Sequence, residues 1–73
     1  MAAGYKFYLK EPLIVNKPAY VVAKDEQGII RGIYNAYYRP EQDKAVLYPR
    51  KGSWIYGNYS RCEISIFSLI RDY

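Results

Sequence analysis

Ala19-Tyr20-Val21-Val22-Ala23-Lys24, then Asp25-Glu26-Gln27-Gly28, then Ile29-Ile30-Arg31-Gly32-Ile33-Tyr34-Asn35-Ala36-Tyr37-Tyr38-Arg39 is the stretch that decides the fold. Two runs rich in β-branched and aromatic residues flank a polar turn, the pattern of an antiparallel hairpin. Gly28 can take the positive φ that such a turn needs. Gly32 inside the second run predicts a bulge or sharp bend. Alternation sends Tyr34 and Tyr38 to one face and Tyr37 to the other.

Punctuation continues on both sides. Upstream, Tyr5 to Lys10 reads as a short strand, with Phe7 and Leu9 on one face and Lys6, Tyr8 and Lys10 on the other. Pro12 ends it, and Asn16-Lys17-Pro18 reads as a turn. Leu13-Ile14-Val15 between them is either core or an exposed edge open to strand addition. Downstream, Pro40-Glu41-Gln42-Asp43 is a turn, Ala45 to Tyr48 a strand, and Pro49-Arg50-Lys51-Gly52 a turn, after which Trp54-Ile55-Tyr56 opens another strand. The segment 62–72 carries two signals. Cys62, Ile64 and Ile66 alternate as in a strand, while Ser60-Arg61-Cys62-Glu63 fits a capping box and Ile66, Leu69 and Ile70 keep helical spacing. The prediction is a mainly all-β domain over residues 1–73, a small barrel or antiparallel meander, with strand favoured over a short C-terminal helix at the end.

The chain has 73 residues, ten of them tyrosine and none histidine. Aliphatic residues such as Leu9, Val21, Val22, Ile33, Val46, Leu47 and Ile64 suffice for one small core, and a deep substrate cavity is hard to carve from them. Tyrosine is poor core material and good contact material, because its hydroxyl needs a polar partner or water. Several of the ten must therefore lie at the surface. The alternative is that the rings shield a thin core and the charges keep the sheet soluble.

Chemistry is poorly provided for. Without histidine there is no ordinary Ser-His or Cys-His dyad, and one cysteine leaves no zinc site and no internal disulfide. Cys62 reads as a buried, inert thiol, and the acid pairs Asp25/Glu26 and Glu41/Asp43 as solvated turn residues. The expectation is a protein that is not an enzyme and uses no metal or cofactor. No run of about 18 apolar residues suggests a membrane span. The single cysteine suits the reducing cytosol.

Binding is better provided for. Eleven basic against seven acidic residues give a net charge of +4. Tyr37, Tyr38 and Arg39, together with Tyr48, Arg50, Lys51, Trp54, Tyr56 and Arg61, interleave rings with cations. These nine are the expected partner-binding residues. Such a patch suits a protein interface, where Tyr, Trp and Arg supply most hot spots, or RNA and single-stranded DNA, where rings stack on bases and cations track phosphates.

Residues 19–57 resemble, in the rhythm of strand and turn lengths, small SH3-like barrels of the KOW and Tudor type. In length, charge and tyrosine-rich style the chain also resembles small phage-encoded regulators that bind bacterial RNA polymerase. That resemblance implies a non-enzymatic transcription regulator, monomeric when free, working in the host cytoplasm by occluding or tethering the polymerase. An RNA- or single-stranded-DNA-binding SH3-like module using the same patch is the alternative.

Overall fold

The computed structural model describes residues 4–57 and 60–73. Six strands form one sheet: β1 (Lys6–Leu9), β2 (Ala19–Lys24), β3 (Ile30–Arg39), β4 (Lys44–Pro49), β5 (Cys62–Ser65) and β6 (Leu69–Arg71). Their order across the sheet is β5-β4-β3-β2-β1-β6.

That order forces the sheet to curl. β5 and β6 are its two edges, yet only the 3-10 turn Ile66–Ser68 separates them in the chain. In a flat sheet five strand spacings would hold them roughly 24 Å apart. Four extended residue steps reach at most about 14 Å. The edges must therefore approach each other, and the result is a small barrel-like all-β fold. Direction follows as well. Four antiparallel pairings leave β1 and β5 pointing the same way, so β6, which continues β5, lies parallel to β1.

The helical alternative for 62–72 is not formed. Both signals there are real but belong to different residues. Cys62 and Ile64 alternate along β5, and the tighter spacing of Ile66 to Leu69 is the 3-10 turn. Ser65, not Ser60, caps that turn, its hydroxyl accepting from the Phe67 N–H at 3.2 Å.

The β2–β3 hairpin follows its sequence closely. The Gly28 N–H donates to the Asp25 carbonyl at 3.0 Å, the Asp25 N–H donates to Ile29, and Gly28 sits at φ 80°. This is a three-residue loop whose left-handed position only glycine fills at no steric cost. The Asp25 carboxylate accepts from the Ile29 and Gln27 N–H groups and from Arg31 Nε. The Ile29 hydrogen bond, with the smaller contributions of Arg31 and Gln27, holds its pKa below the ordinary carboxylate range, against a desolvation effect second only to Ile29. A depressed folded-state pKa adds stability above the unfolded pKa that disappears as pH falls through the folded one. Asp25→Asn should therefore lower the melting temperature at neutral pH. The gap to wild type should close as thermal scans descend from about pH 5. A gap independent of pH would show that the charge is not what matters.

The interior is built around one ring. Tyr34 is 1% exposed and surrounded by a cluster of Leu9, Ala19, Val21, Ala23, Ala36, Ala45 and Leu47. Phe7, Leu13, Cys62, Ile64, Ile66 and Leu69 pack around its rim. Four alanines make room for one tyrosine, as a tightly curled sheet needs small residues opposite large ones. The expectation that tyrosines avoid the core fails at this position. Gly32 explains how the ring fits, since a Cβ there would lie 3.0 Å from the Tyr34 ring. The predicted irregularity is present beside it: Ala23 pairs with Gly32 and Lys24 with Ile30, so Arg31 is the extra residue of a bulge.

One strand expectation is overturned. Trp54-Ile55-Tyr56 does not open a strand; Ser53–Tyr56 is a 3-10 turn between Gly52 and Gly57, both with positive φ. The cause lies outside the segment. Ser53 is buried, and its hydroxyl accepts from the Ile33 N–H at 3.2 Å, while the Arg50 N–H donates to the Ile33 carbonyl. Both ladder groups of Ile33 are thus taken before Trp54 is reached. Ser53→Ala removes the acceptor from a half-buried N–H and should cost about 1–3 kcal/mol in urea unfolding. Amide exchange at Ile33 should accelerate in step. An unchanged Ile33 exchange rate would show that the hydroxyl is not its partner.

Candidate functional site: an aromatic and basic outer sheet face

The faces of β2, β3 and β4 that point away from Tyr34 carry the site. Register aligns Tyr20, Asn35 and Tyr48 in one row across the three strands. The next row is Tyr37, Val46 and Glu63, and the one beyond it is Arg39, Lys44 and Ser65. These positions share a face because strand side chains alternate with period two.

The rings and cations are ordered against each other. Tyr37 meets Tyr48 edge to face, with centroids 5.7 Å apart and planes at 75°. The Arg50 guanidinium lies 4.6 Å from the Tyr20 ring centre, and that of Arg61 lies 5.6 Å from Tyr48. Arg61 also donates to Glu63 at 2.9 Å. Further round the sheet, Lys24 stands 5.0 Å above Tyr8. Each cation–ring contact contributes roughly 0.5–1 kcal/mol at an exposed site. Together they hold long side chains in place before any partner arrives.

Of the nine expected residues, Tyr37, Arg39, Tyr48, Arg50 and Arg61 belong to this face. Tyr38 does not. It pairs with Ala45 and shares the inner face with Tyr34, as the alternation itself requires. Lys51, Trp54 and Tyr56 lie in the segment after β4, at the sheet end opposite Arg39 and Lys44. Trp54 is 67% exposed and stands with Ile55 on the 3-10 turn. Tyr20, Asn35 and Val46 were missed. Tyr20 and Asn35 could have been found from strand alternation, whereas Val46 looks like any core valine until the register is known.

Cys62 packs against the core, and burial pushes its thiol pKa up, with Arg61 acting weakly the other way. A thiolate is thereby disfavoured at neutral pH. Among the described residues no group of three His, Cys, Asp or Glu side chains could hold a metal ion, and no helix is long and apolar enough to cross a membrane. Comparisons with protein-family models, curated proteins and solved structures returned no match.

Proposed function

We propose that this protein is a non-enzymatic docking module that engages a larger macromolecular machine through the outer face of β2–β4. The carrying observation is the ordered set of surface rings and arginines: Arg50 on Tyr20, Arg61 on Tyr48, and Tyr37 edge-on to Tyr48. Tyr and Arg are the residues from which interface hot spots are built, and preordering them lowers the entropy lost on binding. On its resemblance to small phage-encoded regulators, the first partner to test is bacterial RNA polymerase, in the cytoplasm.

A protein partner fits this face better than a nucleic acid. Edge-to-face rings at 75° make no parallel clamp for a base. One face of Tyr48 is already covered by Arg61. Arg61 is also neutralised by Glu63, which leaves Arg39, Lys44, Arg50 and Lys51 as the cations of this region without an ion pair among the described residues. Four phosphate contacts would give a salt slope no steeper than about −3 for a single strand.

The test is a titration of fluorescein-labelled protein with purified RNA polymerase core enzyme, and separately with a single-stranded RNA, at about 50 and about 200 mM salt. Saturable binding to polymerase, little weakened by salt, supports the proposal. Binding to RNA alone, with a steep loss at the higher salt, would replace it with the nucleic-acid module. Binding to neither would remove transcription from the reading.

A further inference from the structure

The outer face is not flat. Val46 points outward from β4, between its register partners Tyr37 and Glu63, yet it is only 1% exposed. It forms the floor of an open groove of about 500 Å³, lined by Asn35, Tyr37, Arg39, Val46 and Tyr48. The five residues divide by chemistry along β3. Asn35 offers an amide at one end. Tyr37 and Val46 form the apolar middle, and the Tyr48 ring, from the Asn35 row, meets Tyr37 edge to face there. Arg39, with Lys44 as its cross-strand partner, places two cations at the other end.

Asn35, Tyr37 and Arg39 are successive same-face positions of one strand, so the three chemistries are spaced at about 7 Å each. An extended peptide laid along the groove has the same spacing between alternate side chains. We infer that the groove binds an extended segment of a protein partner carrying an aliphatic residue and, two positions away, an acidic one. The aliphatic side chain packs on the outer surface of the Tyr37–Tyr48 ring pair that covers Val46, the carboxylate meets Arg39 and Lys44, and the Asn35 amide hydrogen-bonds the peptide backbone. The inference rests on the docking function proposed above and names the partner's chemistry.

Charge supports that occupant. The acid nearest the apolar middle, Glu63, is held by Arg61. Glu41 and Asp43 belong to the turn beyond Arg39 and Lys44, and neither is ion-paired to them. Both cations therefore keep their charge available, and Arg in particular takes a carboxylate bidentately.

The experiment is a two-dimensional amide NMR titration of the labelled protein with three blocked peptides: Gly-Leu-Ser-Glu-Gly, its lysine counterpart Gly-Leu-Ser-Lys-Gly, and the spacing variant Gly-Leu-Glu-Ser-Gly. The expected result is a set of shifts at Asn35, Tyr37, Arg39, Val46 and Tyr48, with the first peptide binding at least tenfold tighter than the other two. Arg39→Gln should abolish the preference for acid over lysine, and Arg39→Glu with Lys44→Glu should reverse it, the amide spectrum itself reporting that each variant is folded. Equal shifts from the acidic and lysine peptides, or shifts confined to other residues, would overturn the inference. So would a preference for a thymidine decamer over all three. The docking reading is tested separately: its assignment to polymerase falls if RNA polymerase leaves these five amides untouched, and it survives if polymerase perturbs them while the acidic peptide does not.

Discussion

Tyr34→Ala is expected to leave the protein at the edge of unfolding. A domain of this length has a total stability of roughly 4–11 kcal/mol. Emptying a fully buried aromatic site costs about 3–5 kcal/mol, because transfer energy is lost and a cavity remains. Collapse around that cavity is hindered here. Four of the neighbours, Ala19, Ala23, Ala36 and Ala45, have no side-chain reach, Phe7 meets the ring edge-on at 6.1 Å, and only Leu9, Val21 and Leu47 remain to fill the space. Urea unfolding followed by circular dichroism should show the midpoint falling by roughly a quarter or more, with an unchanged slope. Tyr34→Phe keeps the ring and should stay within about 1–1.5 kcal/mol of wild type. Gly32→Ala tests the same packing from the other side. Its new methyl would press on a ring with nowhere to go, costing about 1–3 kcal/mol. A loss below about 1 kcal/mol in Tyr34→Ala would mean that the barrel does not depend on this side chain.

The centrality of Tyr34 marks where sequence reasoning reached its limit. The hairpin from Ala19 to Arg39 was legible because its information is local: Gly28 supplies the turn, Gly32 the bulge, and alternation sorts the tyrosines by face. What alternation cannot say is which face is inside. A run with aromatics on both sides fits either way until the alanines of β2, β3 and β4 are seen to share one face of the paired strands. Trp54-Ile55-Tyr56 failed for a related reason. Three apolar residues after a turn read as a strand, and the hydroxyl that forbids it belongs to Ser53, bonded to an N–H twenty positions away. The segment 62–72 gave two periodicities because it holds a strand, a 3-10 turn and a strand.

The site divides in the same manner. Tyr37, Arg39, Tyr48, Arg50 and Arg61 were named from composition, and register does gather them on one face. Tyr38 was included against the alternation that placed it opposite Tyr37. Val46 was invisible, since its importance comes from Tyr37 and Tyr48 standing over it, which only the pairing of β3 with β4 arranges. Leu13-Ile14-Val15 turned out to be split, with Leu13 against the core and Ile14 and Val15 exposed beside the left-handed Asn16.

Tyr48→Ala should separate binding from stability. The ring is 41% exposed and contributes to folding mainly through its edge contact with Tyr37 and its contact with Arg61. Losing those contacts should cost only about 0.5–1.5 kcal/mol in urea unfolding. Binding should suffer far more. Tyr48 walls the groove, orients Tyr37, and seats Arg61, so its removal disorders three groups of the outer face at once. Truncation of such a central aromatic typically costs 2 kcal/mol or more, an affinity loss of about thirtyfold or greater. With the proposed partner, RNA polymerase core enzyme, the loss should appear in the dissociation rate, since the association rate is set by the net charge, which the substitution leaves alone. Tyr34→Phe supplies the comparison, with a ring retained in the core and binding preserved. If Tyr48→Ala binds as tightly as wild type while folding normally, the outer face of β3–β4 is not the interface, and the exposed Trp54–Ile55 turn becomes the surface to mutate next.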